Sequence, residues 1–400
     1  MFYASTLRLY DDVPMVNSVE DSTCRWPPTT VDKSYRWTGG FDMSICVRPA
    51  VNAIPTDDNK LYYRRRLFRG SYPWHMVSFE DLGKLPRRMP RYNFPIRLLA
   101  TSKSVCHAGS KHDLVLIIKS SVLRWDSRDS FRQFMHLEKQ RFPNLTVGYV
   151  FSLGVPRRHG GRLFDRDGHV MYLTGPDGDQ MQAFEGKTDE VMARIYEEIA
   201  NYSDIVMADY EDTYYNLTFK SVTNYRWMSA FCGAHNVKLF MTMDDDHRVN
   251  LSMVDAFMKR VPEEQRHNSL FGYLATSDMA DRSPLKKLYL SYREVPWDKM
   301  SPYLRGFAQM IGPGIVDDIA IGTAYTRYNY APEDVFLGMV AYKLKIPMFD
   351  EKSMFDHDLY VEMNKERRPA MRSENLTLMA NYPALLTKVF SVRATGWLEG

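Results

Sequence analysis

The chain has 400 residues, 44% of them hydrophobic and 13% aromatic, enough to bury a large core in one big α/β domain or in two domains. Its 52 basic and 49 acidic residues leave a net charge of +3, too little for the global field that holds nucleic acid, so any anionic partner must be held locally. Cys24, Cys46, Cys106 and Cys232 form no Cys-x-x-Cys pair, which argues against structural zinc or a thioredoxin-like motif and leaves disulfides open.

Residues 1–92 lack helical or strand periodicity and are punctuated by Pro27-Pro28, Gly39-Gly40, Arg64-Arg65-Arg66 and Pro86-Arg87-Arg88. They read as a stem or an irregular wrap, and the rings of Trp26, Trp37, Tyr62, Tyr63 and Trp74 argue that parts of it pack on the main domain. From residue 93 short apolar runs alternate with helical periods. Strands are expected at Leu114–Ile118, Val147–Leu153, Ile205–Met207, Val237–Met243 and Leu270–Ala275. A helix is expected from Thr188 to Tyr202, where Val191, Ile195 and Ile199 repeat every four residues behind acids in the first turn, and another from Leu217 to Phe231. Ser252 to Asp255 reads as a capping-box helix start. The alternation predicts a βαβ series.

The most telling stretch is Lys238 to Met243 running into Asp244-Asp245-Asp246. An apolar strand that ends in three mutually repelling carboxylates suits a hard divalent cation, Mg²⁺ or Mn²⁺, which also holds a diphosphate. In open α/β sheets ligands bind beyond the carboxyl ends of the strands, where this triplet falls. The alternative is a solvated acidic loop. Asp165-Arg-Asp167, Asp177-Gly-Asp179 and Asp356-His-Asp358 have similar spacing, but their Gly, Pro and Arg neighbours read as turns.

Two further clusters stand out. Pro332-Glu333-Asp334 opens a helix carrying Val335, Phe336, Met339 and Val340; the dipole that favours acids in a first turn also favours an ionised Asp334, as a general base requires. Lys286 to Tyr292, Trp297 and Pro302-Tyr303 interleave rings with polar groups, which suits a carbohydrate, although a buried core is the commoner origin of such a cluster.

Asn-x-Ser/Thr sequons at Asn144, Asn201, Asn216, Asn250 and Asn375 lean towards the secretory pathway. No apolar run reaches the roughly 18 residues of a membrane span and no export signal follows Met1, so either the sequons are chance or this N-terminus lacks a segment present in the full gene product.

These residues resemble one family, the inverting β1,3-galactosyl- and β1,3-N-acetylglucosaminyltransferases related to Fringe, over roughly residues 93–360. The marks in order are Ile118-Lys119-Ser120-Ser121 with Arg128 and Arg132, then Asp209-Tyr-Glu-Asp212-Thr-Tyr214-Tyr-Asn216-Leu217-Thr218-Phe-Lys220 leading to Trp227 and Cys232. The Asp triplet, Gly272-Tyr273, Arg282, Tyr289, Trp297, Ser301-Pro302-Tyr303 and Glu333-Asp334-Val335-Phe336-Leu337-Gly338 follow. Leu304-Arg305-Gly306 departs from the small or Cys residue usual before the family's glycines, and His357 lies at a shorter interval than the family's late metal-binding histidine.

The resemblance implies a GT-A fold: a stem over 1–92, a glycosyltransferase domain over 93–365 and an extension over 366–400. It implies an enzyme that moves galactose or N-acetylglucosamine from a UDP-sugar to a glycan acceptor on glycoprotein or glycolipid, at the lumenal face of the Golgi membrane. Asp246, Asp244 and His357 would hold Mn²⁺ or Mg²⁺, and Asp334 with Glu333 would carry the base chemistry. Lys119, Ser120, Arg128, Arg132, Lys220 and Asp245 would face the donor, and Tyr289, Trp297 and Tyr303 the acceptor. The alternatives are an inactive glycosyltransferase-like binding protein or chaperone, and a retaining transferase or nucleotidyltransferase sharing the metal site alone.

Overall fold

In the computed structural model, residues 43–45, 96–354 and 391–393 are described, with breaks at 108–109, 167, 233–235, 293, 296, 325 and 327–331. Cys24, Cys46, Asn375 and the Asp356–Asp358 motif, with His357, lie outside the described residues.

The chain enters through β1 (Met43–Ile45) and β2 (Ile96–Ala100), then alternates β3 (Leu114–Lys119), α1 (Trp125–Arg141) and β4 (Val147–Val155). A hairpin of β5 (Leu163–Arg166) and β6 (His169–Tyr172) precedes α2 (Pro176–Ala183), α3 (Thr188–Tyr202), β7 (Ile205–Glu211) and α4 (Leu217–Trp227). Next come β8 (Phe240–Asp244), β9 (His247–Val249), α5 (Leu251–Arg260), the short α6 (Glu263–His267) and β10 (Leu270–Ala275). An irregular stretch leads to β11 (Tyr303–Ile311), α7 (Val316–Ala324), α8 (Glu333–Lys343) and β12 (Met348–Asp350), and β13 (Ser391–Arg393) pairs with β9.

Nine strands form one mixed sheet in the order β1-β2-β7-β4-β3-β8-β11-β10-β12. The central four, β7, β4, β3 and β8, run parallel, so their carboxyl ends share one edge. β11 runs antiparallel to β8 with Ala308 opposite Met243, so residues 303–306 project past the end of β8 at that same edge. This is the α/β arrangement the sequence predicts. Because strand side chains alternate, Met241 and Met243 enter one core with α1, α3 and α5, while Phe240 and Thr242 face the opposite layer of α4, α7 and α8. Lys119, two residues past Ile117 of the second core, points to that layer as well.

Most expected elements fall where the apolar periodicity puts them, α3 to the residue. The expected strand from Val237 begins only at Phe240, Val237 making an isolated bridge to His112. Three local readings need correction. Asp177 and Asp179 sit in the first turn of α2, where Pro176 is pre-set for helix and acids meet the dipole, not in a free turn. The cap of α5 is Asn250 rather than Ser252: its Oδ1 accepts from the backbone of Ser252 at 3.0 Å and Met253 at 3.3 Å. α4 gives way at Trp227 to a π-helical turn, Met228–Cys232, whose Cys232 is disulfide-bonded to Cys106.

α8 lies close on β11 because Gly338 has no side chain; a Cβ there would stand 2.3 Å from that of Tyr303. This close approach carries the start of α8, Glu333 and Asp334, onto the carboxyl edge of the sheet.

Candidate active site

Lys119 ends β3 and its side chain is almost wholly enclosed. Its ammonium donates to Glu333 Oε1 at 2.5 Å and to the Gly306 carbonyl at 2.8 Å, and meets Asp244 Oδ1 at 2.9 Å. Three elements, β8, β11 and α8, are thereby tied to one cation. The two carboxylates raise its pKa far above the lysine value despite burial, so the charge is permanent.

On the β8 side, Asp244, Asp246 and His247 each offer a ligand atom, all within 4.8 Å of one another. His247 Nδ1 lies 2.6 Å from Asp246 Oδ1, and its ring stacks on Phe307. Two carboxylates and an imidazole suit a divalent cation of the Mn²⁺ type. Asp244 is pushed up from the usual carboxylate range, first by burial and then by Asp246, against the pull of Lys119. A divalent cation would relieve that strain of charge.

Asp245 turns the other way. It is buried, accepts from Ser120 Oγ at 2.7 Å and pairs with Arg124 at 2.8 Å, and burial still pushes it up to about 6. Arg248, pushed down to about 10 by burial, donates to the carbonyls of Asp245 and His247 and so fixes the loop that carries the triplet.

On the α8 side, Asp334 keeps part of its carboxylate open although protein surrounds it on most sides. Its Oδ2 accepts from Gly306 N–H at 3.0 Å and Oδ1 from Val335 N–H at 2.8 Å. Burial raises its pKa to about 7 with help from neighbouring Glu333, while the two N–H groups and Lys119 pull the other way. A carboxylate that is aimed by two main-chain donors and titrates near neutrality has the properties of a general base. A Cβ on Gly306 would stand 2.8 Å from Glu333 Oε1, so a side chain there would push that carboxylate aside.

The expected donor residues divide. Lys119, Ser120 and Asp245 meet at the edge of the sheet. Arg128, 0% exposed, instead makes a bidentate pair with Glu198 at 2.6 and 2.8 Å and donates to Ser120 Oγ and the Ser121 carbonyl. Arg132 pairs with Asp204 and Glu198. Lys220 donates to the Ser120 carbonyl and pairs with Asp212 at 2.8 Å, while Asp212 accepts from Gly154 N–H. Arg128 and Lys220 therefore hold the Ser120–Ser121 loop from beneath.

The expected acceptor residues divide as well. Tyr289 at 8% exposure packs edge-on to His169, in a cluster with Phe164, Met171, Leu173 and Tyr215. Trp297 is 9% exposed, and its carbonyl is one of three, with those of Leu290 and Val295, gathered by Arg282. Tyr303 bonds Asp278 at 2.5 Å and lies near enough to Asp334 for that charge to raise its pKa.

Sequence reasoning overlooked three groups at this edge. Arg124 follows β3 in the loop where α/β ligands bind, and that position was its signal. His247 directly follows the triplet. Tyr214, inside the resemblance motif, feels Glu333, Asp334 and Asp244 together and is covered by Lys287, whose ammonium lies 3.6 Å from the ring centre.

Carboxylates, a fixed lysine and an imidazole thus gather at the carboxyl edge of a mixed sheet, a donor set that can hold a divalent cation. Residues 184–352 match the family model described as Galactosyltransferase, in line with the sequence resemblance. The chain is similar to lactosylceramide 1,3-N-acetyl-beta-D-glucosaminyltransferase A of Xenopus laevis, 24% identical over 181 residues, 45% of this chain and 46% of that protein. The enzyme of that name without a letter from Xenopus tropicalis is 24% identical over 308 residues, 76% of this chain and 73% of that protein. Beta-1,3-galactosyltransferase 5 of Pan troglodytes is 28% identical over 151 residues, 38% of this chain and 49% of that protein. The matched stretch thus spans about half the length of the first and third of these relatives.

Proposed function

We propose that this protein is a metal-dependent inverting hexosyltransferase, moving galactose or N-acetylglucosamine from a UDP-sugar to a hydroxyl of an acceptor glycan in a β1,3 linkage. The observation that carries the reading is Lys119. One buried ammonium touches Asp244 at 2.9 Å and Glu333 at 2.5 Å, which joins the metal end and the base end of the site in one rigid unit.

Asp244, Asp246 and His247 would hold a divalent cation, which would neutralise the departing diphosphate. Asp334 takes the proton of the acceptor hydroxyl as that oxygen bonds to the anomeric carbon. The bond from that carbon to the UDP oxygen breaks on the opposite face, and its electron pair leaves with UDP. Configuration inverts in one displacement, without a covalent enzyme intermediate. Glu333 keeps Lys119 in register, and Arg124 lies on the side where the diphosphate would arrive.

The acceptor is a glycan on glycoprotein or glycolipid, the second supported by the lactosylceramide in the names of two relatives, and the setting is the Golgi lumen. The Cys106–Cys232 disulfide supports an oxidising compartment, and the sequon residues Asn144 and Asn201 are exposed. Among the described residues no helix is long and apolar enough to cross a membrane.

A screen of hydrolysis and transfer with several UDP-sugars, with and without Mn²⁺, tests the reading. UDP release from UDP-galactose or UDP-N-acetylglucosamine that EDTA abolishes is expected. Purified folded protein that neither binds UDP nor releases it from any donor would instead favour a binding protein of the same fold.

A further inference from the structure

β11 is irregular where it meets the site. Its pairing with β10 matches Gly272 to Gln309 and then Leu274 to Leu304, so a short step along β10 spans a longer one along β11. The surplus forms a bulge that contains Arg305, Gly306 and Phe307, since pairing with β8 begins only at Ala308. A bulge takes backbone groups out of the ladder and re-aims them. Both such groups of Gly306 serve the site: its N–H donates to Asp334 Oδ2 at 3.0 Å, and its carbonyl accepts from Lys119 at 2.8 Å.

Without ladder bonds the bulge must be held by side chains. On one flank Phe307 stacks on His247, and Gln309 Nε2 donates to the Leu304 carbonyl at 2.8 Å. On the other flank a single carboxylate, Asp278, gathers the two side chains that lead into Gly306. The Tyr303 hydroxyl donates to it at 2.5 Å and the Arg305 guanidinium pairs with it at 2.8 Å, while Arg305 also donates to the Tyr303 hydroxyl at 3.1 Å. Asp278 is anchored in turn, its carbonyl accepting from Met300 N–H at 2.9 Å. The side chains of Arg305 and Asp278 are 40% and 32% exposed, and pairs this open add little to a fold. Their contacts lead to the site instead.

We propose that Asp278 is a positioning residue: by holding Arg305 and Tyr303 it fixes the bulge so that Gly306 N–H aims the Asp334 carboxylate. Its catalytic consequence rests on the function proposed above. The other ionisable groups facing Asp334 are Glu333 of α8, Lys119 of β3, Tyr303 of β11 and Tyr214 ahead of α4, and a substitution at position 278 leaves all four in the chain. The Gly306 N–H draws the Asp334 pKa down. Loss of that bond therefore moves the titration of Asp334 to higher pH, whereas removal of the Asp278 charge alone moves it to lower pH.

The test compares wild type with Asp278→Ala and Asp278→Asn in the full chain. Both variants lose the charge, but only Asn keeps an oxygen that accepts from Tyr303 or Arg305. Asp278→Ala should lower kcat about tenfold, within the range for a misplaced reacting group, with KM for the donor unchanged. The rising limb of its pH–rate profile should move to higher pH, and crystals should show the Gly306–Asp334 contact beyond hydrogen-bond range. Asp278→Asn should keep that contact and most of kcat. Identical behaviour of the two variants, a profile of Asp278→Ala displaced to lower pH, or an unmoved Gly306–Asp334 contact each overturns the inference. If the wild type transfers no sugar at all, the proposed function fails, yet the crystal geometry and an NMR titration of the Asp334 carboxyl still decide the role of Asp278.

Discussion

Two clusters of buried charge lie on either side of the Ser120–Ser121 loop, and they are built on opposite plans. Beneath it, Arg128 and Arg132 face Glu198 and Asp204 in a closed set of short, bidentate contacts, so each charge is answered. Above it, Asp244, Asp245, Asp246, Glu333 and Asp334 crowd round Lys119 and Arg124. There the carboxylates outnumber the cations, and Asp244, Asp245 and Asp334 are all held above their usual range. A matched network braces a fold. An unmatched one is poised to take up a cation or a proton, and this difference separates the two clusters although both are made of the same residue types.

The contrast is broken most severely at Asp334. Asp334→Asn should lower the transfer rate by roughly two to four orders of magnitude, the scale of a general base, and leave the melting temperature at pH 8 equal or higher. Near-normal transfer would reduce Asp334 to a helix cap. In the matched cluster the outcome reverses. Arg128→Ala leaves Glu198 buried beside Arg132 alone and should cost about 3–5 kcal/mol in denaturant unfolding, the usual loss when one partner of a buried pair is removed. Stability within 1 kcal/mol of wild type, about the level of an exposed pair, would contradict the structural role of Arg128.

The unmatched cluster should also show itself in pH. The Asp334 carboxyl titrates at about 7 in the folded protein against 3.8 ordinarily, so the fold favours its protonated form. Its stabilising effect is complete below the unfolded value and is lost as pH rises through about 7. Asp245, at about 6, acts in the same direction. Metal-free protein should therefore melt at lower temperature at pH 8 than at pH 5, and Asp334→Asn should flatten that slope; equal slopes would contradict the assignment. The rate has the opposite sign, rising with pH as Asp334 becomes a base.

The smallest effect is at Asn250, whose sequon follows the triplet while its side chain caps α5. Asn250→Ala should cost about 1 kcal/mol, the usual loss of an N-cap, and peptide mapping should find sugar on Asn144 or Asn201 but none on Asn250.

Much of this was legible in the chain. The strands and α3 followed from apolar periodicity, and the triplet was found because an apolar strand ran into it. Arg128 and Arg132 were misjudged as donor ligands for a physical reason: Glu198 and Asp204, which answer their charges, come from α3 and the turn after it, far along the chain. Tyr289 and Trp297 show the same limit, since rings that suit a sugar face suit a core equally well and only packing decides. His247 and Arg124 both stand past the carboxyl ends of strands, where ligands bind in α/β sheets, so their positions are legible in the chain.

The central claim is that Lys119 joins a metal end and a base end that act separately on the donor and the acceptor. It is tested most directly by titrating UDP calorimetrically into wild type, Asp246→Asn and Asp334→Asn, each with Mn²⁺ and with EDTA. Wild type and Asp334→Asn should bind UDP with the same Mn²⁺-dependent affinity, and Asp246→Asn should lose it. Undiminished Mn²⁺-dependent binding in Asp246→Asn, or its loss in Asp334→Asn, would contradict the account.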